Sequence, residues 1–180
     1  MNRPGRRART FGVLVAALGI TTFLPAPPAY ASALGLSISV PSTVSFGSFA
    51  PGARTITANL GTVTVTTTAA LTQSTAWTAT VSTTAFKTGG GSAAETVAAG
   101  SVSYKSGLAT AQSGLTLAVC TGGQLVTAVA LTSPVTAFSC TGNSSSAGGT
   151  SLSWNPQISI VVGAGNVAGT YTGTITHSVV

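Results

Sequence analysis

No aspartate occurs anywhere in this sequence, and glutamate and histidine occur once each, as Glu95 and His177. That scarcity removes whole classes of chemistry before any fold is considered. Glycoside hydrolysis needs a pair of carboxylates, which Glu95 alone cannot supply. A serine triad would have to join some serine to His177 and Glu95. The nearest approach to a nucleophile elbow, Gly90-Gly91-Ser92-Ala93-Ala94, lacks its closing glycine. His177 is read instead as a histidine tucked near a sheet edge. Calcium asks for several oxygen ligands and zinc for a cluster of histidine and cysteine. One His, one Glu and two distant cysteines make neither. The sequence therefore assigns no catalytic, metal or cofactor-binding residue and is read as that of a protein that is not an enzyme.

Charge is nearly as scarce, and most of it lies at one end. Arg3, Arg6, Arg7 and Arg9 precede an apolar run from Phe11 to Leu24, followed by Pro25-Ala26-Pro27-Pro28 and the small-x-small sites Ala29-Tyr30-Ala31 and Ala31-Ser32-Ala33. The apolar run, about fourteen residues, is short of the roughly twenty that span a bilayer. Residues 1–31 are accordingly read as a secretory signal peptide, with cleavage after Ala31 or Ala33. Its loss changes the electrostatics. The full chain carries +6, whereas residues 32–180 keep Arg54, Lys87 and Lys105 against Glu95, three cations to one anion and a net +2. Phosphate-binding surfaces need clustered Lys and Arg, so nucleic acid is excluded as a partner. No second apolar run of spanning length follows the leader, so no integral membrane segment is expected after cleavage and attachment to the cell is expected to run through non-covalent contacts. Residues 32–180 are enough for one domain with a single core.

What the chain does have is threonine, serine, valine, alanine and glycine, in alternation. Leu36, Ile38 and Val40 alternate with serines; Val63 and Val65 with threonines; Trp77, Ala79 and Val81 with threonines again. The same period of two places Val102 with Tyr104, Leu115 with Leu117 and Val119, and Ile158 with Ile160 and Val162. A last strand from Thr170 to Ser178 sends Tyr171, Ile175 and His177 to one side. Turn signals separate these runs at Pro51-Gly52, Gly89-Gly90-Gly91, Gly122-Gly123 and the low-complexity stretch from Gly142 to Gly149. Gly163 to Gly169 superficially matches a phosphate loop but leads into a strand rather than a helix, and is read as a hairpin connection. Many short strands with one apolar and one hydroxyl face describe an all-β antiparallel sandwich.

Cys120 and Cys140 are the only cysteines, an even number in a chain read as exported, and are expected to form a disulfide. Trp77, Tyr104 and Trp154 are the aromatics able to stack on a ligand. Trp77 alternates with Ala79 and Val81, and Trp154 shares parity with Leu152 and Ile158, which favours core packing for both.

Ser74-Thr75-Ala76-Trp77-Thr78-Ala79-Thr80-Val81, Ala98-Ala99-Gly100-Ser101-Val102-Ser103-Tyr104, Trp154 and Ala168-Gly169-Thr170-Tyr171-Thr172-Gly173-Thr174-Ile175-Thr176 together resemble the WxL-like domain of Gram-positive surface proteins. Ala79 and Pro156 stand where that family's Trp-x-Leu signature carries leucine. The resemblance implies an immunoglobulin-like β-sandwich held non-covalently at the cell wall, with cell-wall polymer or other surface proteins as partners. Two alternatives accompany it. One is a homo-oligomeric subunit of a surface filament; the other is a free secreted carbohydrate-binding module stacking sugars on Tyr104, Trp77 or Trp154.

Overall fold

Alternating valine and threonine cannot build an amphipathic helix, but each such run presents one greasy and one polar face to a pleated sheet. The computed structural model describes residues 11–17, 35–50, 52–68, 76–114, 119–141 and 149–180, the first of these as backbone alone. In chain order the strands begin with β1 (Phe11–Ala17), β2 (Ser37–Ser39), β3 (Thr43–Ser45), β4 (Arg54–Asn59), β5 (Val63–Thr67) and β6 (Trp77–Thr83). There follow β7 (Phe86–Lys87), β8 (Thr96–Val97), β9 (Val102–Lys105), β10 (Ala109–Ser113) and β11 (Val119–Gly122). The series ends with β12 (Val129–Ala130), β13 (Val135–Thr141), β14 (Thr150–Trp154), β15 (Gln157–Val162) and β16 (Thr172–Val179). Two single 3-10 turns, Ala93–Glu95 and Ala99–Ser101, are the only helical elements among the described residues.

The strands form two layers. The first runs β11-β13-β6-β16-β1-β3, with β7 and β8 attached beside β16. The second consists of two four-stranded ladders, β10-β14-β5-β2 and β12-β9-β15-β4. Three strands of one ladder lead directly into three of the other, β4 into β5, β9 into β10 and β14 into β15, so the two ladders run on from one another as a bent sheet. Ile158 faces Ala58 and Tyr104 in one half, and Trp154 faces Val63 and Ala109 in the other. The bend has a local cause on each strand. Pro156 offers no amide to a ladder, Gly61 has φ +89° and Gly107 has φ +68°. Across the bend the Leu60 amide donates to the Pro156 carbonyl at 2.8 Å, so the break in the ladder is itself hydrogen-bonded.

Between the layers lies the expected core. Val63, Val65, Trp77, Ala79, Val81, Val102, Tyr104, Leu152, Trp154, Ile158, Ile160, Val162, Tyr171 and Ile175 are all buried, and on most strands they alternate with hydroxyl residues, Val161 between Ile160 and Val162 being an exception. A buried Leu, Ile, Val or Phe side chain is worth about 1.5–3 kcal/mol over its exposed state. The hydroxyl residues on the outer faces pair across strands: Ser37 with Thr66 at 2.6 Å, Thr64 with Ser153 at 2.8 Å, Thr57 with Ser159 at 2.9 Å and Thr80 with Ser178 at 2.8 Å. The antiparallel sandwich read from the alternation is thus the observed architecture.

Three readings are corrected. Val119 does not face the core; it is 68 % exposed. Cys120 stands directly opposite Cys140, whose side chain is buried, so Cys120 shares that inward face and Val119 must take the other. The Gly163–Gly169 segment is not a hairpin connection: β15 belongs to the second layer and β16 to the first, so the segment crosses between layers. Asn166 secures the crossing, its side-chain amide donating to the Ala94 carbonyl at 3.2 Å and to that of Thr96 at 3.0 Å. The final strand begins at Thr172 rather than Thr170. Leu115, Leu117, the 142–148 part of the low-complexity stretch, Pro51, and the leader outside Phe11–Ala17, including both cleavage sites, lie outside the described residues.

Candidate functional site

Three strands from the two layers each turn one large polar-tipped side chain into the interior. Alternation on β9 buries Tyr104 with Val102, on β14 it buries Trp154 with Leu152, and on β16 it buries His177 with Ile175. Tyr104 and Trp154 come from the second layer and His177 from the first, so the sandwich itself brings them together. The Trp154 Nε1–H donates to the Tyr104 hydroxyl oxygen at 3.0 Å, and that hydroxyl lies 3.2 Å from His177 Nε2. Phe138 packs against Trp154 with ring centroids 5.1 Å apart, and the imidazole lies 5.6 Å from the Tyr104 ring.

The chemistry of the donors orders this chain. An indole N–H can only donate, so the Tyr104 oxygen accepts from Trp154 and its own O–H is free to donate to Nε2. That places the imidazole proton on Nδ1, which is buried without a hydrogen-bond partner. The opposite tautomer would strand both the tyrosine O–H and Nδ1, leaving two groups unsatisfied instead of one. Burial pushes the His177 pKa down to about 3 from its ordinary 6.5. It also pushes the Tyr104 hydroxyl above the phenol range, with the Trp154 hydrogen bond opposing in part. All three side chains are therefore neutral and dry, and no carboxylate enters the cluster. His177 is not tucked near an edge, as expected from its place in the sequence, but sits in the seam of the sandwich, where it ties one layer to the other.

Glu95 has partners of its own. It ends the exposed 3-10 turn, and the Ser92 amide donates to its Oε2 at 3.0 Å. Hydrogen bonds from the Ser92 backbone first, then from the Ser92 side chain and the Gly90 and Gly91 amides, hold its carboxyl below the ordinary 4.5. The lone carboxylate closes the glycine loop that precedes it.

Cys120 and Cys140 form the expected disulfide, with Cα atoms 4.1 Å apart across the β11–β13 ladder. Trp77 faces Cys140 from the other side of β13 and is buried, like Tyr104 and Trp154; none of the three offers a ring face to solvent. Sequence reasoning did not single out Tyr171 and Asn166 as anchors. The Tyr171 hydroxyl donates to the Val167 carbonyl at 2.8 Å, four residues upstream, and its ring stacks on Phe49 at 5.4 Å. This is the tyrosine-corner geometry of immunoglobulin-like sandwiches. Its signal in the sequence was the inward parity of Tyr171 just after a glycine-rich crossing.

Among the described residues no group of three or more His, Cys, Asp or Glu side chains could hold a metal ion, and no helix is long and apolar enough to cross a membrane. No protein-family model, no curated protein and no solved structure matches the chain.

Proposed function

We propose that this chain is an exported domain of the bacterial cell surface that works by presenting a rigid β-face to cell-wall polymer or to other surface proteins, in the manner of the WxL-like domains it resembles. One observation carries the reading: the single imidazole and the single side-chain carboxylate of the chain are both occupied internally. His177 is spent on tying the layers together and Glu95 on closing its own loop. The outer faces of several strands carry rows of paired hydroxyls, suited to contact. The disulfide accords with an oxidising compartment outside the cell. Binding would fall to the hydroxyl face, since Trp77, Tyr104 and Trp154 are buried and unavailable as a sugar-stacking platform. The test is sedimentation of the purified protein with isolated cell walls at low and high salt. Co-sedimentation is expected at both; protein left wholly in the supernatant at both removes wall binding.

A second reading, a subunit of a surface filament, has its own support. β10 forms an edge of the second layer, is exposed along its whole length and carries no charge or proline. Such an edge is open to a neighbour's strand. Analytical ultracentrifugation at high concentration decides it, and a single monomeric species counts against it.

A further inference from the structure

β1 lies between two strands of the same domain. It pairs antiparallel with β16 from Phe11 to Ala17 and parallel with β3 from Val15 to Ala17. These residues belong to the segment read as a leader, which export would remove. Its departure leaves a lane one strand wide, edged by the freed amides and carbonyls of β16 and β3. Neither strand carries the charge or proline that natural sheets use to blunt an edge.

Direction, register and parity say what fills that lane. β3 runs parallel to β1 while β16 runs antiparallel to it, so β3 already lies antiparallel to β16. Each β1 residue in the shared stretch faces one residue on either side: Val15 faces Thr43 and Thr174, Ala16 faces Val44 and Gly173, and Ala17 faces Ser45 and Thr172. A sideways step of one lane, with no slide along the strands, therefore sets Thr43 opposite Thr174, Val44 opposite Gly173 and Ser45 opposite Thr172. The faces agree as well. Val44 packs partly against the core while Thr43 and Ser45 are exposed, and Gly173 is buried while Thr172 is exposed.

The two segments are already joined at one end. Phe49 and Gly169 exchange both backbone hydrogen bonds, at 3.1 and 3.2 Å, in an antiparallel bridge. That bridge differs by one residue from the register above it, and Gly47, at φ +78°, supplies the bulge that absorbs the difference.

We propose that removal of the leader lets β3 move one lane across and pair antiparallel with β16, so that the exported domain completes its first layer with its own strand. The leader holds the sheet open in the precursor, and the one parallel ladder among the described strands gives way to an antiparallel one. A lane flanked by β3 admits a single strand and not the sheet edge of a second copy. The inference rests on reading residues 1–31 as a cleaved leader.

The experiment uses the full chain with a sequence-specific protease site inserted after Ala33, carrying Thr43→Cys and Thr174→Cys. With β1 in place the two positions lie two lanes apart, about 9–10 Å, beyond the ~7 Å that a disulfide spans. After the step they are direct cross-strand neighbours. The expected result is an intramolecular 43–174 disulfide, identified by peptide mass, that is scarce before cleavage and predominant after it. Equal cross-linking before and after, none after cleavage, or cross-links joining two molecules would each overturn the proposal, the last in favour of a strand donated by a second copy. The pair Ser45→Cys with Thr172→Cys repeats the test should the first variant not fold. The leader reading is tested separately, by the N-terminus of unmodified protein recovered from a secreting host; an intact leader there defeats that reading without touching the protease result.

Discussion

The hydroxyl of Tyr104 and the Nε2 of His177 meet at 3.2 Å across the seam between the two layers, in a place where neither side chain touches water. The acid response of the fold follows from that contact. His177 titrates at about 3 in the folded chain and near its ordinary 6.5 once unfolded, so between those values the unfolded state binds the extra proton. Stability is complete above pH 6.5 and falls as the pH drops toward 3, by up to about 1.4 kcal/mol for each pH unit. Glu95, also lowered, adds its own loss only below its ordinary 4.5. Urea unfolding at pH 7 and pH 5 isolates the histidine. The wild type is expected to weaken between them, and His177→Gln to stay level.

Tyr104→Phe removes the oxygen that serves both neighbours and leaves the Trp154 N–H and the imidazole unpaired in the core. A loss of about 1–3 kcal/mol is expected from denaturant unfolding. Because one hydroxyl serves both contacts, Tyr104→Phe combined with His177→Phe should cost less than the sum of the two single changes. Additive losses would mean that the contact carries no coupling.

Gly173 faces inward on β16, and a Cβ there would come within 2.7 Å of the Phe86 ring, itself fully buried. Gly173→Ala should therefore destabilise by about 1–3 kcal/mol through overpacking. Thermal melting checks it, and an unchanged midpoint would show that the Phe86 ring yields freely.

The disulfide closes a sequence separation of 20 between adjacent strands. Replacing both cysteines by serine should cost about 3 kcal/mol in the chain-entropy model. The melting midpoint should drop correspondingly, and reductant should lower the wild type to a similar value.

How much of this could be read from the chain divides along the range of the forces involved. The pleat is local, so the inward parity of Val63, Trp77, Tyr104, Ile158 and Tyr171 was legible residue by residue. Val119 was not, because its face is dictated from across the ladder by Cys140. The Gly163–Gly169 segment looked like a hairpin because a short glycine-rich connection says nothing about which layer the next strand joins; that is set by the pairing of β16 with β6 and β1, and Asn166 anchors the crossing to a loop some seventy residues earlier. Trp154, Tyr104 and His177 could each be placed facing inward, yet their meeting needs the order of the strands and the bend at Pro156. The candidate site is thus a product of topology, while the sandwich around it is a product of alternation.

The paired hydroxyls on the outer faces have one more consequence. A protein wetted by alcohol groups instead of ions has little on its skin for protons to titrate or for dissolved salts to shield. Its exterior should therefore look much the same to a partner in dilute buffer and in concentrated electrolyte, and the grip of the domain should depend on shape and on the fit of its hydroxyl rows far more than on ionic conditions.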